Sequence, residues 1–183
     1  MRAVLSGNMG SGVGMQRVLL SERLRIPSIA LGGAVRAAVD ADTEPGRRFR
    51  AVADRGEPVD DTLLVDILAA HLVRDDTRDG FLLDDVPASV DRAWLLDQRL
   101  DHAGIPLDTV VALDVPLEIL IRRYADSPDA GARRARIEAH ARCMRPVLDY
   151  YRNRARDGRL RYRVVSGLGS TEQVYARILD ALR

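Results

Sequence analysis

The chain predicts an α/β fold, a five-stranded parallel sheet with helices on both faces. Three observations carry this expectation. Short apolar runs alternate with longer helical patterns. A turn holding four glycines joins the first run to the first helical pattern. The length of 183 residues suffices to bury a substantial core as one domain without staples.

The first strand is Ala3-Val4-Leu5-Ser6, and further strands are expected at 27–30, 80–83, 109–113 and 160–165. Between them, helical periodicity marks 15–24, 62–71, 90–103, 117–124 and 133–154, and 171–182 closes the chain. Segment 31–60 has helix-like pieces but no strand. Pro45-Gly46 and Gly56-Glu57-Pro58 punctuate it, so it reads as a small helical insertion hinged on the core.

Composition excludes several classes of function. The 28 basic and 27 acidic residues nearly cancel, so no overall field draws the chain to nucleic acid or to a membrane surface. Lone Cys143 rules out an internal disulfide and suits a reducing compartment. No apolar run is long enough to span a membrane, and the first residues lack a signal-peptide layout, so a cytoplasmic protein is expected. His71, His102 and His140 are scattered without metal-ligand spacing, and no metal site is expected.

Gly7-Asn8-Met9-Gly10-Ser11-Gly12-Val13-Gly14-Met15-Gln16 has the layout of a phosphate-binding P-loop between strand and helix. Glycines at 7, 10, 12 and 14 let the backbone curl and aim N–H groups at an anion beside a helix N-terminus. Both functional side chains are replaced. Val13 stands where a lysine would neutralise phosphate charge, and Met15, beyond it, removes the hydroxyl that would hold magnesium. All 28 basic residues are arginine, so no lysine elsewhere can step in.

Further motifs follow in order. They are Ile26-Pro27-Ser28-Ile29-Ala30-Leu31-Gly32-Gly33-Ala34-Val35-Arg36, then Gly56-Glu57-Pro58-Val59-Asp60-Asp61, then Gly80-Phe81-Leu82-Leu83-Asp84-Asp85-Val86-Pro87-Ala88-Ser89. Leu113-Asp114-Val115-Pro116 and Arg134-Ala135-Arg136-Ile137, with Pro146-Val147-Leu148-Asp149-Tyr150-Tyr151 after it, complete the set. Together they resemble the adenylate kinase family over nearly the whole chain. The resemblance implies a P-loop NTPase-type core at 1–30, 61–123 and 130–183 of one domain spanning 1–183. It also implies a nucleoside-monophosphate-binding type of insertion at 31–60 and a very short, vestigial lid at 124–132 without the family's ATP-closing arginines.

The same resemblance assigns roles. Arg36, Asp84, Arg123, Arg134 and Arg136 fall on its catalytic positions, with Arg36 at the AMP phosphate and Asp84 as the acid near magnesium. Gly7, Asn8, Gly10, Ser11, Gly12, Val13 and Gly14 form the phosphate loop. Departures fall on the working residues: Val13 for lysine, Leu31 and Gly33 in the AMP site, Ala88 for the clamp arginine, and Arg92 for the adenine-reading glutamine. Arg17 and Arg92 lie four residues after Val13 and Ala88, on the same helix face, where a long guanidinium could replace each lost cation. Asp85 is a candidate acid/base that the family lacks.

Two readings follow. One is a diverged member that binds a nucleotide or other phosphate-containing ligand with little or no AMP kinase activity. The other is a small-molecule phosphotransferase repurposed on the same fold. The family's cofactor, ATP with magnesium, is weakly supported by the altered loop. A monomer is expected, with a protein partner as a further option, and neither nucleic acid nor membrane as a ligand.

Overall fold

The computed structural model describes residues 1–84 and 87–183. Five parallel strands, β1 (Arg2–Gly7), β2 (Ser28–Ile29), β3 (Phe81–Asp84), β4 (Thr109–Asp114) and β5 (Arg161–Ser166), lie in the order β2-β3-β1-β4-β5. The registers Leu5↔Asp84 and Gly7↔Leu113 bring the ends of β1, β3 and β4 to one edge. Because β1 has β3 on one side and β4 on the other, the chain reverses its winding there. A crevice opens beyond the strand ends at such a point.

Alternation along the strands sorts two cores. Val4, Leu83 and Val110 face one layer, which holds Leu63, Ile67 and Leu68 of α4 (Asp61–Leu72), Leu96 and Leu100 of α5 (Val90–His102), and Val147 and Tyr151 of α7 (Ala130–Arg156). Ala3, Leu5, Leu82, Val111 and Val165 face the other, with Leu20 of α1 (Val13–Leu24) and Val174 and Ile178 of α8 (Thr171–Leu182). The inner strands β1, β3 and β4 are buried on both faces and read as continuous apolar runs, which made them visible in the sequence. β5, expected to be buried, instead lies at the sheet edge and is largely exposed, with Arg161 and Arg163 in it.

Local chemistry sets several boundaries. β2 covers two residues where four are expected. Pro27 has no N–H for the ladder, and Ala30 is already the N-cap of α2 (Leu31–Asp40). Segment 31–60 holds α2 and α3 (Glu44–Asp54), with Thr43 capping α3 through the Gly46 N–H. α2 and α3 approach so closely at Gly46 that an added Cβ would sit 2.1 Å from the Ala38 carbonyl oxygen. α6 (Leu117–Arg122) stops two residues before the expected 124. α7 begins three residues before the expected 133, so 130–132 are helical; Asp129 at its N-cap pairs with Arg133 at 2.7 Å.

A polar pin crosses the first core. Asp97 of α5, 2% exposed, accepts from the Tyr150 hydroxyl at 2.8 Å and pairs with Arg154 Nη1 at 3.0 Å, both on α7. Burial pushes the Asp97 carboxyl up to about 6, although the Tyr150 hydrogen bond and the Arg154 charge pull the other way. No helix among the described residues is long and apolar enough to cross a membrane.

Candidate functional site

At the crevice, the backbone turns inward immediately after β1. Ser11 N–H donates to the Asn8 carbonyl at 2.9 Å, and Gly10 and Gly12 take φ of 84° and 91°, the left-handed region that glycine tolerates. Residues 7–14 and Asp84 line a cleft of about 240 Å³. No side chain among the described residues caps α1; Met15 N–H donates to the Gly12 carbonyl at 3.1 Å, which leaves the Val13 and Gly14 N–H groups to an anion. Ser11 is 4% exposed, and its Oγ makes no hydrogen bond among the described residues.

Val13 turns into the core. A Cβ on Gly7 would sit 2.8 Å from Val13 Cγ2 and 2.6 Å from Ser11 Oγ, so the loop closes tightly on Gly7. Val13 joins Leu5, Leu20 and Leu113 in the second core, while Met15 is 58% exposed. The position expected for a cation therefore contributes packing.

One guanidinium at the cleft wall comes from one turn further along α1. Arg17 Nε lies 3.0 Å from Asp84 Oδ2 at the end of β3, and Arg17 Nη1 donates to Ser28 Oγ at 2.9 Å. The Nε–H is not aligned with any acceptor among the described residues, so charge rather than a directed hydrogen bond holds it to Asp84. From the other side, Arg123 Nη1 donates to the Gly10 carbonyl oxygen at 2.7 Å, and Tyr124 packs against Gly10.

Arg92 takes a different course. Its Nε donates to Asp61 Oδ1 at 3.1 Å, and Nη2 reaches the same oxygen, tying α5 to the start of α4. Ser89, the N-cap of α5, lies within 3.4 Å of Asp61 Oδ2. The guanidinium four residues after Ala88 is thus neutralised by a carboxylate. Arg134 pairs with Glu138 at 2.8 Å on the exposed face of α7. Arg36 and Arg136 are exposed, with no ion-pair partner among the described residues. Asp85 lies outside the described residues.

The structure therefore brings together the glycine loop, Asp84, Arg17 and Arg123. It does not bring Arg92 or Arg134 into that contact set. Sequence reasoning missed Ser28 and Asp61, the residues that fix the two arginines. Their signal was available only as small or acidic residues at a strand start and a helix start, too common to single out.

A parallel sheet whose first strand curls through a glycine cradle into an uncapped helix defines a P-loop-type α/β protein. The sequence model of the family described as adenylate kinase matches residues 5–156. An adenylate kinase of Stenotrophomonas maltophilia (strain R551-3) is 38% identical over 193 aligned positions, covering all of both chains. An adenylate kinase of Xanthomonas campestris pv. campestris (strain 8004) is 37% identical over 190, covering all of this chain and 99% of its own. The chain belongs to the adenylate kinase family, as its ordered motifs imply.

Proposed function

We propose that this protein binds a nucleotide or another phosphate-containing ligand in the glycine loop, and that it phosphorylates AMP poorly or not at all. The names of its relatives support a nucleotide as the ligand. One observation carries the loss of activity: Val13 is packed into the core at the lysine position, in a chain without any lysine. Removing one preorganised donor to a developing charge costs about 2.7–4 kcal/mol in transition-state stabilisation. Ala88 and the arginine-free stretch 125–132 withdraw further cations, and a single arginine finger is worth roughly 10³–10⁵ in rate.

The loop fits a phosphate group. Met15 offers no oxygen to a magnesium ion, and without a phosphate in the loop Arg17 neutralises Asp84. The second reading, a repurposed phosphotransferase, draws on the Arg92–Asp61 pair, which changes the polar groups where the family reads adenine.

Calorimetric titration with ATP, ADP and AMP, with and without magnesium, tests the binding, and a coupled AMP phosphorylation assay beside the Stenotrophomonas relative tests the activity. The reading expects nucleotide binding with a rate at least ~10³ below the relative's. Comparable rates for the two proteins would overturn it. Turnover confined to an acceptor other than AMP would establish the second reading.

A further inference from the structure

We infer that Arg17 is a phosphate-binding residue of the glycine loop and that Asp84 is its internal competitor, releasing the guanidinium when a ligand phosphate enters. The inference rests on the proposed phosphate binding and adds the residue that supplies the positive charge. Asp84 lines the cleft, and Arg17 Nε stands 3.0 Å from its Oδ2, so the guanidinium lies one ionic contact behind the cleft wall. Arg17 is on α1, one turn beyond Val13, and helical side chains lean back toward the N-terminus, here toward the loop.

The present pairing is poorly directed. Ser28 Oγ receives a sound hydrogen bond from Nη1, but the Nε–H has no aligned acceptor among the described residues. A phosphate offers several oxygens to a planar donor fork and can align two bonds at once. The buried Ser11 Oγ, without a hydrogen-bond partner among the described residues, is a second polar group in the loop that a phosphate oxygen could satisfy. With no lysine present, an anion in the cleft faces the Asp84 carboxylate. Arg123, already donating to the Gly10 carbonyl, braces the loop from the other side, so Arg17 is the cation placed to offset Asp84 itself.

The test is a double-mutant cycle read by calorimetric titration with inorganic pyrophosphate, using wild type, Arg17→Gln, Asp84→Asn and the double variant. Arg17→Gln is expected to weaken binding roughly tenfold, the scale of one charge-assisted contact. Asp84→Asn is expected to tighten it by a similar factor, and that gain is expected to shrink to about threefold or less without Arg17. An equal gain in both backgrounds would mean simple repulsion by Asp84 and would overturn the inference, leaving phosphate binding intact. No binding by wild type or by Asp84→Asn would overturn both, whereas Arg17-dependent binding by Asp84→Asn alone would uphold the competition. Should a variant fail to fold, the Arg17 Nε–Hε resonance of the wild type reads the same event. It is expected to shift on addition of pyrophosphate, and a fixed resonance in the face of binding would overturn the exchange.

Discussion

Arg123 donates through Nη1 to the carbonyl oxygen of Gly10 at 2.7 Å, across 113 residues of sequence. The C-cap of α6 thereby holds the glycine loop from outside, with Tyr124 packed beneath. Arg123→Ala is expected to weaken pyrophosphate binding severalfold and to speed hydrogen exchange of the loop amides. Global stability should fall by no more than about 1 kcal/mol, because the contact is exposed. Unchanged exchange at Ser11 and Gly12 would argue against bracing.

The Arg92–Asp61 pair is only partly open to water, with side chains 19% and 36% exposed. A double-mutant cycle with Arg92→Ala and Asp61→Ala should give a coupling of about 1 kcal/mol in denaturant unfolding, above most exposed pairs. Additive single effects would show that the two helices are held by packing alone.

Asp97 gives stability a signed pH dependence. Its carboxyl titrates at about 6 in the folded protein against 3.8 ordinarily. Between roughly pH 4 and 6 the folded chain therefore binds more protons at this group than the unfolded chain does, so stability contributed by the protonated form is lost as pH rises. Denaturant midpoints of wild type and Asp97→Asn, measured across that window, should show the wild type losing ground to the variant as pH increases. A parallel pair of curves would place the Asp97 titration back in the ordinary range.

Gly46→Ala should disturb the 31–60 segment selectively. The added methyl would come within 2.1 Å of the Ala38 carbonyl oxygen, a backbone atom that cannot swing aside, so α2 and α3 must part. Overpacking of this kind costs about 1–3 kcal/mol. Limited proteolysis should cut first within 31–60, and an unchanged cleavage pattern would mean that the segment accommodates the methyl elsewhere.

Much of the fold was legible because the inner strands, buried on both faces, leave uninterrupted apolar runs and because helical periodicity marks the stretches between them. Ser89 and Ser170, which cap two of those helices, were not read from the sequence. The early start of α7 was less visible, since Asp129 and Arg133 act together only once the helix exists. The Asp97–Arg154–Tyr150 pin was hidden for a different reason: its partners lie on two helices more than fifty residues apart. At the site, spacing told which face Arg17 and Arg92 occupy but not which carboxylate would capture each. Asp84 and Asp61 decide that, and both are ordinary acidic residues until the sheet and helices place them.

The turns between α6 and α7 have a kinetic consequence. Tyr124, Ala125, Ser127 and Ala130 donate to carbonyls three residues back, Ser127 and Arg133 hold Asp129, and the Arg133 guanidinium lies 5.1 Å from the centre of the Tyr124 ring. A segment tied to itself in this way is expected to close over the crevice less readily than a free loop would. The departure of a phosphate seated in the loop would then not wait on this segment. Residence times should then follow local contacts alone, and exchange should keep pace with changes in free ligand.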